Sequence, residues 1–291
     1  MYLGAIEAGG TKFVCAVANA AGEIIKETKF PTETPEKTMS QIELFFNEFS
    51  LSSLGVGAFG PISVAEDQEN YGYITNTPKK AWVNYPFIPE LKKRLGTPVY
   101  FTTDVNAAAL GELKKGAAKG LGSCMYITVG TGIGAGAVIG GKLVQGHTHP
   151  EMGHVLVRRH PQDTFKGTCP SHSDCLEGLA AGPAIEQRWG KPGKDLADQP
   201  LVWEIEADYL AQGLMQYILI LSPEKIIMGG GVMKQSHLFP LIFEKLKGYV
   251  NNYIDLPELE SYIVSPGLGD HAGIYGAIEL AKEANEASLV K

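Results

Sequence analysis

The sequence predicts an α/β protein built from a repeated unit, and three observations carry that prediction. Short apolar, strand-like runs alternate with longer stretches of helical spacing along the whole chain. A strand, a glycine turn and a return strand open it at Leu3–Ile6, Gly9-Gly10-Thr11-Lys12 and Phe13–Ala18. The same layout returns at Met125–Val129, Gly130-Thr131-Gly132 and Ala135–Ile139. Ile6-Glu7-Ala8-Gly9-Gly10-Thr11 matches Ile127-Thr128-Val129-Gly130-Thr131-Gly132, and Ala16-Val17 matches Ala137-Val138 on the return strands.

The remaining elements follow in order. Asn19-Ala20-Ala21-Gly22 turns the chain, Glu36–Phe49 has helical spacing, and a strand at Leu54–Ala58 ends at Gly60-Pro61. Residues 66–89 form a polar, turn-rich segment with Asn76-Thr77-Pro78 and Trp82, the latter read as a surface residue, and suit an active-site loop. Val99–Phe101 reads as a strand leading into a run of helix formers from Asp104 to Glu112. In the second half a polar insertion, Gly146–Cys175, precedes helical patterns at Leu176–Trp189 and Ile205–Leu221. A strand at Ile226–Met228 then runs into Gly229-Gly230-Gly231, and Ala272–Asn285 reads as the last helix.

Composition narrows the function. A chain of 291 residues with 44% hydrophobic content supports a substantial core and one or two domains. Its formal net charge of -7 argues against a nucleic-acid backbone or an anionic membrane surface as main partner, which leaves a small molecule as the default. The N-terminus starts in a strand-like pattern without the features of a signal peptide, so a cytoplasmic protein is expected. The most apolar stretch, Cys124–Val144, is interrupted by glycines and reads as strands rather than a membrane span. Of the four cysteines, Cys15 and Cys124 lie in apolar runs, whereas Cys169 and Cys175 share a polar loop with His172. In a reducing compartment that pair suggests a metal before a disulfide.

The glycine turns suggest the chemistry. A nucleoside triphosphate needs close approach by unhindered backbone N–H groups, and both turns offer them beside a hydroxyl. Either turn alone could be a plain hairpin; two at matching places in a repeat argue for a shared task. Two look-alikes fail. Gly136 to Lys142 has the P-loop spacing, but Leu143 stands where Ser or Thr is required, and Gly130 to Gly136 resembles a dinucleotide fingerprint yet is followed by a strand pattern.

Taken together, Ile6–Lys12, Thr103–Ala109, Gly130–Gly134, His149–His154 and Cys169–Gly178 make the chain resemble the ROK (repressor, ORF, kinase) family of sugar kinases, and within it the fructokinase branch. The resemblance covers nearly the whole chain. It implies an actin-like ATPase (ribonuclease H-like) duplicated fold of two domains with ATP and sugar in an interdomain cleft. The expected domains are 1–115 with the C-terminal helix 272–291, and 116–271 carrying a zinc-binding insertion. ATP is expected on Gly9, Gly10, Thr11, Lys12, Gly130, Thr131 and Gly132, with the adenosine near Gly229, Gly230 and Gly231. Glu7, where related kinases usually carry Asp, is the expected magnesium residue, its longer side chain holding the ion either directly or through water.

Asp104 matches the family's catalytic base, a role compatible with its simpler reading as a helix N-cap. Glu151 and Glu177 match acids that bind sugar hydroxyls, and His154 matches a residue that contacts sugar and ligates zinc. Gly60, Pro61, Asn76, Thr77 and Thr103 are expected further contacts to the sugar. Thr103 stands where many glucose-type members carry Asn, which favours fructose; kinases of mannose, glucose or N-acetylmannosamine are the alternative. A ROK-type regulator is disfavoured because no basic helix precedes the first turn. Cys169, His172 and Cys175, spaced three apart, join His154 as a closed tetrahedral set for structural zinc. His147 and His160 read as loop histidines, His149 as a competing ligand, and Asp174 as a partner of the site. ATP with Mg2+, a hexose and a second copy of the chain in a homodimer complete the expected partners.

Overall fold

The computed structural model describes residues 2–65 and 67–289. Its first sheet is formed by β1 (Tyr2–Ala8), β2 (Lys12–Ala18), β3 (Ile24–Pro31), β4 (Leu51–Ala58) and β5 (Val99–Thr103), in the order β3-β2-β1-β4-β5. β1, β2 and β3 pair antiparallel, while β4 runs parallel to both β1 and β5. The second sheet contains β6 (Cys124–Val129), β7 (Ile133–Ile139), β8 (Lys142–Leu143), β9 (Ile226–Gly229) and β10 (Ile263–Val264), in the order β10-β9-β6-β7-β8. Read from its other edge, that order repeats the first sheet strand for strand: an outer strand, the return strand, the leading strand, then two parallel partners. The duplication suggested by the glycine turns is therefore present in the strand order.

Nine helices connect these strands among the described residues: α1 (Pro35–Phe46), α2 (Phe87–Leu95), α3 (Asp104–Lys115), α4 (Leu176–Ala180), α5 (Gly182–Trp189), α6 (Pro200–Leu221), α7 (Leu238–Val250), α8 (Leu259–Tyr262) and α9 (Ala272–Leu289). The expected single helix Leu176–Trp189 is two, because Ala181 is extended at φ -73°, ψ 159° and Pro183, in the first turn of the next helix, has no backbone donor. α1 stops at Phe46 rather than Phe49, and α6 starts at Pro200, upstream of the expected Ile205. β3, α2 and α7 were not anticipated. β3 is an edge strand rich in Lys and Glu, the pattern that protects an open edge and conceals a strand from apolar alternation.

The chain divides into two compact units: Met1–Leu121 with Gly136–Pro150 and Gly267–Lys291, and Gly122–Ala135 with Glu151–Pro266. The first unit thus takes in Gly136–Pro150, which the expected domain of 1–115 and 272–291 leaves out. Residues 290–291 of that expected helix, and Glu66 at the head of the expected loop, lie outside the described residues. Within the first unit small residues bring backbones together. A Cβ on Gly276 of α9 would collide with the Ala107 carbonyl of α3, and one on Gly55 of β4 with the Ala277 carbonyl. The run of alanines in α3 is thus a packing surface as well as a run of helix formers. Trp82 is not a surface residue: it is 1% exposed, packs against Phe13, Phe59, Tyr85 and Phe87, and donates its indole N–H to the Glu33 carbonyl at 2.8 Å. Among the described residues no helix is long and apolar enough to cross a membrane.

Candidate active site

In the first unit β1 carries Glu7 next to its last residue, Ala8, and the chain turns through Gly9, Gly10 and Thr11 into β2. The turn is closed by the Gly9 N–H donating to the Lys12 carbonyl at 3.0 Å, and the Thr32 hydroxyl donates to the Gly9 carbonyl at 2.7 Å. Thr11 and Lys12 are exposed. A Cβ at Gly9 would lie 2.8 Å from the Lys12 oxygen, so this turn needs glycine for close approach. Behind it, Glu7 Oε2 is buried without a hydrogen-bond partner. Burial, reinforced by the negative charge of Asp104 and opposed by Lys12, pushes the Glu7 carboxyl up to about 7. Asp270 adds to the rise, a contribution that sequence spacing could not announce. Gly273 in α9 makes the room, since a Cβ there would meet Glu7 Cδ at 2.7 Å. A buried carboxylate oxygen without a partner, with two further acids nearby, fits a cation.

Asp104 is the first residue of α3, and the N-cap is Thr103, not Asp104. The Thr103 hydroxyl accepts the Asn106 N–H at 3.3 Å, while Asp104 Oδ1 accepts the Val105 N–H at 2.9 Å. The first helical turn favours the negative charge that Asp104 carries. Beneath it, His149 Nδ1 lies 3.4 Å from both Thr103 Oγ1 and Asn106 Nδ2, and Asn106 Nδ2 also donates to Thr102 Oγ1 at 3.1 Å. Thr103, Asn106 and His149 are all buried. Thr103 thus spends its hydroxyl on the helix cap and on His149, and Asn106 joins them as a residue the sequence reading missed. In the segment after β4, the Pro61 carbonyl accepts from the Thr75 N–H at 2.8 Å; Gly60 is half-buried, Asn76 is exposed, and Thr77 is buried with its hydroxyl accepting the Lys79 N–H at 3.3 Å.

The second unit gathers His154, Cys169, His172 and Cys175 so that one donor atom of each lies within 4.8 Å of all the others. His154 Nδ1 is 3.4 Å from Cys175 Sγ and 3.7 Å from Cys169 Sγ, and His172 Nδ1 is 3.7 Å from Cys169 Sγ. Metal–sulfur and metal–nitrogen bonds of ordinary length in a tetrahedron put N and S about 3.5 Å apart, so these spacings fit a four-coordinate ion. The local fold explains the convergence. Cys169 and Ser173 exchange backbone hydrogen bonds around the His172 turn, Ser173 takes a left-handed φ of 56°, and Leu156 bridges Cys175. Arg159 holds Asp174 at 3.0 Å. His149 is not in the set.

Glu177, two residues beyond Cys175, connects this cluster to the second glycine turn. Its Oε1 lies 4.0 Å from His154 Nε2, and its Oε2 accepts the Ile133 N–H at 2.9 Å. A Cβ at Gly132 would sit 2.6 Å from that Oε2. The turn itself closes with Gly130 N–H on the Gly132 carbonyl at 2.9 Å, and the Gly130 carbonyl accepts the Gly182 N–H at 2.7 Å; Thr131 is exposed. Glu151 is exposed and its carbonyl accepts the His154 N–H at 3.1 Å. After β9, Gly230 adopts φ 93° and a Cβ there would collide with the Val129 backbone, so only glycine fits; Gly231 faces open space and Gly229 ends the strand.

A model of the ROK family matches residues 3–284. The chain belongs to the ROK family. Among its ROK relatives, a fructokinase of Pediococcus pentosaceus is 47% identical over 284 residues, covering 98% of this chain and 99% of the relative. A ROK hexokinase structure from Thermus thermophilus superposes with a TM-score of 0.83 at 26% identity, covering 99% of this chain and 100% of the other. A ROK glucokinase from Streptomyces griseus, solved with glucose and AMPPNP, gives a TM-score of 0.76 at 25% identity over 97% of this chain and 100% of the other. With these neighbours and two sheets of matching strand order, the fold is the actin-like, two-domain α/β fold of ROK sugar kinases.

Proposed function

We propose that this ROK chain transfers the γ-phosphoryl group of ATP to the 6-hydroxyl of fructose, with Asp104 as general base. The observation that carries this reading is Asp104 at the start of α3, its charge felt by Glu7 behind the first glycine turn, in a chain 47% identical over its length to a fructokinase. In the transfer, the sugar hydroxyl gives its proton to the Asp104 carboxylate as its oxygen bonds to phosphorus. The bond from that phosphorus to the β-phosphate oxygen breaks, and ADP leaves with the electron pair. The backbone of Gly9, Gly10 and Gly130–Gly132, with Thr11, Thr131 and Lys12, holds the phosphates, and Gly229–Gly231 receive the adenosine.

Glu151, His154 and Glu177 bind sugar hydroxyls through acceptor oxygens and the ring nitrogen left free by a metal, as do the backbone at Gly60 and Pro61 and the side chain of Asn76. Thr103 and Thr77 shape their loops. Magnesium, for which the unpartnered Oε2 of Glu7 is the fitting protein oxygen, supplies charge neutralisation on the phosphates. Zinc fits the two-thiolate, two-imidazole set of His154, Cys169, His172 and Cys175, and its chemistry there is structural, because four protein ligands leave no open position. Burial pushes the Cys175 thiol up to about 11, so the metal binds as the thiol proton leaves. The working state is a homodimer in the cytoplasm. Replacing Asp104 by Asn tests the reading: ADP release with fructose should fall about 100-fold or more while ATP binding persists. Near-parent turnover in that variant would overturn the assignment of the base.

A further inference from the structure

The first glycine turn has a neighbour that neither its motif nor its spacing announces. Lys79 reaches back over it: a Cβ built on Gly10 would have the Lys79 side-chain carbon Cε as its nearest contact, at 4.0 Å. Lys79 is exposed, and among the described residues it forms no ion pair. The approach is held from below. The Lys79 N–H donates to the Thr77 hydroxyl at 3.3 Å, and the Lys79 carbonyl accepts the Trp82 N–H at 2.7 Å as the cap of a short 3-10 turn at Lys80–Trp82. Trp82 is anchored in the core, stacked on Phe13 with ring centroids 5.7 Å apart. Phe13 directly follows Lys12, so one aromatic contact fixes the Lys79 loop against the strand that leaves the turn.

We propose that Lys79 is a phosphate-binding residue of the kinase, placing a second cation beside Lys12 on the terminal phosphates of the nucleoside triphosphate. The proposal rests on the reading that the Gly9–Lys12 turn carries those phosphates. An ammonium on a flexible stem suits a point-charge contact to a phosphate oxygen, and charge on the transferring group is what phosphoryl-transfer catalysis stabilises. An exposed lysine with no carboxylate of its own is open to such a ligand. The segment also carries Asn76, so the loop would link occupancy of the sugar side to the phosphate contact.

The test uses Lys79→Met, Lys79→Arg, Lys80→Met and Gly10→Ala in the full chain, with kcat and KM measured separately for ATP and for sugar. A charge-assisted phosphate contact is worth about 10-fold or more in kcat/KM for ATP. Lys79→Met should lose that much with sugar KM nearly unchanged, Lys79→Arg should recover most of it, and Lys80→Met should match the parent. AMP affinity should be unaffected by Lys79→Met, because AMP lacks the terminal phosphates. Gly10→Ala adds only a methyl in ordinary contact with Lys79 and reports on the turn itself. If Gly10→Ala impairs ATP use and Lys79→Met does not, the Lys79 assignment is overturned and the turn reading stands. If neither impairs it, the turn reading fails and takes the proposal with it. Equal losses in Lys79→Met and Lys80→Met would also overturn the proposal, since they would reflect general surface charge.

Discussion

Glu112 offers a quantitative test of how the first unit is held together. The residue sits late in α3 with no exposed surface, and its carboxylate gathers three backbone donors. Oε2 accepts from Ala117 N at 2.6 Å and Gly267 N at 3.1 Å, and Oε1 from Leu268 N at 2.9 Å. These donors lie close to two of the four places where the chain passes from one unit's sequence to the other's, before Gly122 and at Gly267. Each buried N–H left without its charged acceptor costs about 1–3 kcal/mol, and after partial relaxation and water entry Glu112→Ala should lose about 4 kcal/mol. Glu112→Gln keeps one acceptor oxygen but turns an NH2 group toward a donor, so it should lose about 2 kcal/mol. Urea unfolding at fixed pH, followed by circular dichroism and compared at equal slope, measures both values. A Glu112→Ala midpoint within about 0.5 kcal/mol of the parent would refute the clamp, as would a Gln variant no better than the Ala variant.

Other outcomes follow from the two units separately. Cys169→Ser or Cys175→Ser should each lose bound zinc by elemental analysis and raise KM for sugar, with ATP affinity much less changed; unchanged sugar kinetics in metal-free protein would break the link through Glu177. The Glu7 carboxyl is raised in the fold to about 7 from 4.5, so its ionisation opposes folding: the penalty is absent below pH 4.5, grows through the window between the two values, and is complete above about 7. Glu7→Gln in chelator should therefore melt higher than the parent at about pH 8, with the difference shrinking toward about pH 5. Gly230→Ala should destabilise the second unit by about 2 kcal/mol or more, because both the positive φ and the Val129 backbone exclude a side chain; a melting point equal to the parent would contradict this.

Much of this architecture was legible because it rests on short-range patterns. The two glycine turns and their flanking strands are local, and their repetition announced the matching strand orders of the sheets. The cluster of His154, Cys169, His172 and Cys175 was readable because three of its members share one tight loop and few other tasks require that spacing. What escaped depends on contacts distant in sequence. Trp82 looked like a loop aromatic because the rings of Phe13, Phe59 and Phe87 that bury it come from other segments. Thr103 took the cap expected of Asp104, a choice set by backbone angles at a single residue. His149, a metal candidate by spacing, is instead beside Thr103 and Asn106, more than forty positions upstream. Lys79 beside Gly10 has no local signature at all.

Whether this ROK chain is a fructose kinase using ATP is read out by a coupled assay of ADP release across fructose, mannose, glucose and N-acetylmannosamine. The highest kcat/KM is expected with fructose, and fructose 6-phosphate as the product. A higher kcat/KM with glucose or N-acetylmannosamine, or no ADP release with any of the four, would contradict it.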